Sequence, residues 1–213
     1  MPMLTLLCSA ALPCVAAPEA AAARVEAGWI LQKLARPAPM RTAFVELRGS
    51  PMLKAPLRIE GEYRRPDKDT LVREVRSPYA EVTTLRNGQA TLARAGKTPR
   101  TFALSRVPEL AGLQASFGAL LAGDRALLEQ RYRLSARGTQ QQWTLVLVPL
   151  DAQARTSVRD ITLYGRGAEL RCIETRPVKG ELQRTLMAGA AHQASGATTS
   201  TALAALCHAG NAS

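Results

Sequence analysis

The sequence predicts an α+β fold in which one strongly curved antiparallel sheet of about 11 strands carries about three helices on one face. Three observations lead there. Long stretches alternate apolar and polar residues with a period of two, as a strand does when one face is oily and the other wet. Those stretches are punctuated by Arg65-Pro66, Ser77-Pro78, Asn87-Gly88, Gly165-Arg166-Gly167 and Lys179-Gly180. Such pairs remove a ladder donor or tolerate positive φ, and so turn one strand back on its neighbour. Helical periodicity is confined to the start of the chain and to one interruption near its middle, which gives the helices a common sheet to cover.

From Arg24 to Ala35, the residues Ala27, Ile30, Leu31 and Leu34 share one helical face, and Pro37 and Pro39 stop the helix. At Thr42 the period changes to two. Phe44 and, after a bulge, Leu47 lead to Leu57, Ile59, Gly61 and Tyr63 on one side, with Arg58, Glu60, Glu62 and Arg64 on the other. Leu71 to Arg76, Ala80 to Arg86, Ala90 to Arg94 and Thr101 to Leu104 continue the meander. Val107 to Ala122 then reads as a helix: Pro108 suits its first turn, Leu110, Leu113, Phe117, Leu120 and Leu121 make its apolar stripe, and Gly123 closes it in the left-handed conformation. Asp124 caps a short helix running to Gln130.

Strand character returns with Tyr132, Leu134 and Ala136 alternating against Arg131, Arg133, Ser135 and Arg137. Gly138 opens a turn into the apolar strand Trp143 to Val148, which Pro149 ends. Val158 to Gly165, Ala168 to Arg176 and Glu181 to Met187 complete the set. Residues 188–213 contain no Asp, Glu, Lys or Arg, so a loose tail with a weak helix around Thr201 to Cys207 is expected. A sheet this curved leaves two outcomes for the space beneath its helices, a filled core or an apolar hollow, and periodicity leaves both open.

A length of 213 residues without an internal linker suits one domain, and 46% hydrophobic with 21% charged residues is ordinary for a folded chain. Lys+Arg 28 against Asp+Glu 17 gives a formal charge of +11 and a pI of about 10.3. That balance favours polyanions or anionic lipid surfaces, unless it is only a solvated basic exterior. With 4% aromatics and no basic–aromatic alternation, no nucleic-acid partner is expected.

Leu4 to Ala17 is an apolar run of signal-peptide length ending in Val15-Ala16-Ala17, too short to span a bilayer, although no Lys or Arg precedes Arg24. Residues 1–17 are expected to be a secretory signal, the alternative being an N-terminal helix. Pro13 before Cys14 spoils a lipidation motif. Export would leave Cys172 and Cys207 as a candidate disulfide; otherwise Cys172 is a buried thiol and Cys207 an exposed one. No CxxC exists and the histidines, His192 and His208, lie in the tail, so no metal and no cofactor are expected. Without GxSxG, a P-loop or a carboxylate cluster at metal spacing, the chain does not read as an enzyme.

The stretch GEYRRP at 61–66, the pattern of Leu71, Arg73, Val75 and Pro78, then Glu81 and Asn87-Gly88, resembles the second and third strands of LolA, the periplasmic carrier of outer-membrane lipoproteins. Trp143 to Pro149, Ile161 to Gly165 and the helix end from Leu120 to Asp124 resemble the more divergent LolA-like proteins, so that the similarity runs from Val25 to Met187. The resemblance implies an incomplete β-barrel lidded by helices over residues 18–187, in a periplasmic monomer that shields lipoprotein acyl chains or another lipid from water. It also implies an inner-membrane donor complex and an outer-membrane acceptor as partners.

By the same resemblance Leu57, Ile59, Tyr63, Trp143 and Leu145 would line the hollow from the sheet, and Leu110, Leu113, Phe117, Leu120 and Leu121 from the lid. Simple core packing is the competing account of each. Arg65 falls at the family's Arg-Pro arginine, which ties sheet to lid, with Arg64 the nearest alternative and an exposed turn residue the plainer one. With Trp 2, Phe 3 and Tyr 4, this interior should be more aliphatic than the family's usual aromatic cavity. A basic adaptor for a membrane surface or protein complex, with the same fold and no lipid cargo, is the alternative function.

Overall fold

The computed structural model describes residues 24–48, 56–104 and 119–209. The expected signal segment and Leu110, Leu113 and Phe117 lie outside these residues. Six strands come first: β1 (Met40–Arg48), β2 (Leu57–Arg65), β3 (Thr70–Ser77), β4 (Glu81–Arg86), β5 (Gln89–Arg94) and β6 (Arg100–Ala103). Five follow: β7 (Tyr132–Gly138), β8 (Trp143–Pro149), β9 (Val158–Arg166), β10 (Glu169–Pro177) and β11 (Gln183–Met187). The two meanders join where β1 pairs antiparallel with β11, giving one 11-stranded sheet in the order β6-β5-β4-β3-β2-β1-β11-β10-β9-β8-β7. Because β6 and β7 are its two edges, the sheet is an open barrel.

The expected turn chemistry is in place. Asn87 and Gly88 both have positive φ, 49° and 70°, in the two-residue turn between β4 and β5. Gly61 sits beside a register shift between β2 and β3, where a Cβ would run into the Glu74 carbonyl, so only glycine lets the strands approach.

Helix α1 (Ala27–Leu34) and α2 (Arg125–Glu129) cover the inner face. Between them residues 119–122 are the helical end of the mid-chain segment. Ile30, Leu31 and Leu34 of α1, with Ala119, Leu120 and Leu128, pack on Trp143, Leu145, Leu147 and Leu163, filling the β7–β10 half. The β1–β6 half has its own inner cluster, Phe44, Ile59, Leu71, Val75, Leu85 and Ala90, joined by Leu121 and Met187.

A third layer departs from the loose tail expected at the C-terminus. α3 (Ala152–Ser157) is a short surface helix, but α4 (Ala188–Gln193) and α5 (Ser200–His208) pack on the outer face against β1, β10 and β11. There Ala190, Ala191, Ala194, Leu203 and Cys207 meet Val45, Cys172 and Leu186. The alanines that make the segment look like a linker allow the helix backbone close to the sheet. Cys172 and Cys207 form a disulfide with an S–S distance of 2.07 Å and Cα atoms 5.2 Å apart.

Candidate functional site

Where α1 ends, β1 begins and the 119–122 helix stops, a cavity of about 180 Å³ remains. Its apolar lining includes Leu34, Met40, Leu120, Leu121, Leu170 and Met187, with Thr42, Ala168 and Ala188 beside them. Arg36, Arg41 and Glu169 are its charged lining. An apolar cavity of about 150 Å³ stays dry and accepts a benzene ring, so this one admits a short aliphatic stretch. It is smaller than the roughly 300 Å³ at which ligand pockets usually begin.

Beside the cavity Arg65, at the end of β2, reaches backbone carbonyls of three segments. Its Nη1 donates to the Arg36 carbonyl at 3.2 Å and to the Leu121 carbonyl at 3.4 Å, and its Nη2 to the Lys68 carbonyl at 3.4 Å. The Leu121 carbonyl also accepts from the Arg36 backbone N–H at 2.9 Å, so one oxygen gathers the end of α1, the 119–122 helix and β2. The two 3.4 Å contacts lie beyond the usual hydrogen-bond range and the 3.2 Å contact at its edge. Arg64 points the other way and pairs with Glu74 at 2.8 Å. Gly123 ends the helix with φ +68°, and a Cβ there would sit 3.1 Å from the Leu31 carbonyl.

Of the residues expected to line a hollow, Leu120 and Leu121 line this cavity. Trp143 and Leu145 do not: both are fully buried in the core that α1 fills, and the indole N–H of Trp143 donates to the Gly167 carbonyl at 2.9 Å. Leu57, Ile59 and Tyr63 belong to the β1–β6 cluster, where the Tyr63 ring lies 4.9 Å from that of Phe44. Burial raises the Tyr63 phenol above its usual pKa, with the Arg73 charge opposing.

Met40, Leu170, Met187, Arg36 and Arg41 escaped the sequence reading. They converge only because β1 and β11 pair across nearly the whole chain, and no local pattern announces that closure.

The inner face of the β1–β6 half also carries paired charge. Arg73 meets Glu46 at 2.7 Å and stacks 4.7 Å from the Phe44 ring centre, while Arg94 pairs with Glu81 and lies 5.6 Å from the Tyr79 ring centre. On the outer face Glu174, Cys207 and His208 bring ligand atoms together, but the Cys207 sulfur is committed to its disulfide. Glu174 instead accepts from Arg184 at 2.5 Å, from the Tyr164 hydroxyl at 3.1 Å and pairs with His208 at 2.9 Å.

A family model described as outer membrane lipoprotein carrier protein LolA-like matches residues 19–210. Among solved structures, a LolA superfamily protein from Nitrosomonas europaea is similar at 16% identity, covering 76% of each chain with a TM-score of 0.38. LprF from Mycobacterium bovis is similar at 14% identity over 76% of this chain and 91% of that one, with a TM-score of 0.34. No curated protein matches the sequence.

Proposed function

Because the chain belongs to the LolA-like family of outer membrane lipoprotein carrier proteins, we propose that it carries the acyl chains of a lipoprotein or related lipid between the membranes of the envelope. The observation that carries this reading is the apolar cavity beneath the 119–122 helix end, beside which Arg65 reaches the backbone carbonyls of Arg36 and Leu121. Burial contributes about 0.8 kcal/mol per methylene, so even a stretch of about six methylenes taken into the cavity amounts to roughly 5 kcal/mol before ordering costs. A longer chain gains more as it enters, and this gain drives the cover open against Arg65's long contacts. Release reverses the sequence: the tail leaves, the apolar walls close, and the guanidinium returns to its carbonyls.

We assign the chain to the periplasm, with an inner-membrane donor and an outer-membrane acceptor. A disulfide across two layers suits an oxidising compartment. No described helix is long and apolar enough to cross a membrane. LolA-like proteins are carriers rather than enzymes, and the same is proposed here.

Lipid extraction from protein purified out of a bacterial periplasm, followed by mass spectrometry, tests the reading. A co-purifying acyl compound at near-stoichiometric yield is expected. Its absence, together with salt-sensitive binding to anionic liposomes, would support the adaptor function instead.

A further inference from the structure

We propose that, independently of any lipid cargo, the protein in its reduced form binds a Zn²⁺ ion on the outer face of the sheet, held by Cys172, Glu174, Cys207 and His208. β10 presents Cys172 and Glu174 two residues apart, and the last turn of α5 brings Cys207 and His208 onto them. His208 Nε2 lies 2.9 Å and Cys207 Sγ 3.7 Å from Glu174 Oε1, and these three ligand atoms sit within 4.8 Å of one another. The fourth, the sulfur of Cys172, is bonded to that of Cys207. With Zn–S about 2.3 Å and Zn–N and Zn–O about 2.0–2.2 Å, tetrahedral ligand atoms stand roughly 3.3–3.8 Å apart. Once the S–S bond is open, the four residues need only small side-chain adjustments to meet that spacing.

Bridge and metal exclude each other. Both cysteines are thiols when the chain is made, so the reduced state precedes the disulfide, and it is the thiolate that ligates a metal. Binding Zn²⁺ releases the two thiol protons to water. Closing the bridge instead passes two electrons and both protons to an oxidant, such as the disulfide of an oxidoreductase.

The surroundings suit a buried cation. Cys172 and Cys207 are buried and Glu174 is 5% exposed, whereas the His208 side chain is 42% exposed and leaves a path from solvent. The two thiolates balance the ion, and Arg184, 2.5 Å from Glu174 Oε1, balances the carboxylate, so the loaded site is neutral. Tyr164 donates its hydroxyl to Glu174 Oε2 at 3.1 Å and orients the carboxylate from behind. The ion thus ties α5 to β10 at the place the disulfide later takes.

The test uses the full chain with Cys8→Ser/Cys14→Ser, which leaves Cys172 and Cys207 as its only cysteines. A water-soluble trialkylphosphine reduces the bridge to two thiols, becoming the phosphine oxide with oxygen from water, and is removed before Zn²⁺ is titrated against a chromophoric chelator. The reduced chain should take up one Zn²⁺, and the oxidised chain should bind at least about 100-fold more weakly. Co²⁺ in its place should show thiolate charge-transfer and tetrahedral d–d bands. His208→Ala and Glu174→Gln should each weaken the reduced site by at least about 10-fold.

No uptake by the reduced chain, equal uptake by the oxidised one, or an affinity unchanged in either variant overturns the site. The His208 ring is at the surface, so an oxidised-state Tm close to the parent's shows that the His208→Ala chain has lost the metal and not the fold.

Discussion

Arg65 reaches three carbonyls with one guanidinium, and the contact distances of 3.2 to 3.4 Å decide what its loss should do. Long, partly solvated hydrogen bonds contribute about 0.5–1.5 kcal/mol in sum. Arg65→Ala should therefore leave the protein folded, yet raise amide exchange at Gly123 and Asp124, whose N–H groups bond Leu120 and Ala119 in the cover. Exchange measured by NMR checks this, and unaltered rates there would show that Arg65 is only a turn residue.

Tyr164 offers a second test. Burial first, then the Glu174 charge and hydrogen bond, push its pKa up to about 12. An unfolded tyrosine ionises near 10. The folded chain thus holds this proton more tightly, and the stability this supplies is complete below about pH 10 and is lost as pH rises towards 12. Urea unfolding should show a smaller alkaline loss in Tyr164→Phe than in the parent. Arg65 was singled out through the Arg-Pro motif of the family it resembles, whereas nothing in the sequence singled out Arg36.

The elements were legible where a pattern had a single cause. Period two placed β2 and β8, and Leu120, Leu121 and Gly123 placed the helical end at residues 119–122. α4 was not legible and α5 only as a weak helix around Thr201 to Cys207, because a charge-free Ala, Ser, Thr and Gly segment has the composition of a loose tail. The one hint lay in β1, where Ala43, Val45 and Leu47 on one face and Phe44 on the other make the strand apolar on both sides. A strand of that kind needs cover twice.

The disulfide fixes α5 across a sequence separation of 35 residues, for which chain entropy gives about 3–4 kcal/mol of stabilisation. Cys172→Ala/Cys207→Ala should lower urea stability by about that amount while the inner clusters persist. Near-UV spectra around Trp143 would report the latter, and a loss of the whole fold would show that the outer layer is required for it.

At the scale of the whole molecule the open barrel divides into unequal halves. α1 and α2 pack over the β7–β10 half, where Trp143 and Leu145 lie in the buried cluster rather than in the lining of the cavity described above. Strand count and antiparallel order could be read from turns, but cavity position could not. It depends on which half the helices fill, and that follows from side-chain volumes meeting in three dimensions rather than from periodicity. Among the described residues, the cavity lies near the β1–β11 seam, where the two meanders join and where the 119–122 helix ends.

Hydrogen–deuterium exchange during titration with a diacylated lipopeptide tests the carrier account most directly. Binding should change protection at Ala119 to Gly123 and at Met40 to Phe44, the walls and cover of the cavity. Changes confined to the exposed arginines Arg131, Arg133 and Arg137 at the β7 edge, or no binding at all, would contradict it.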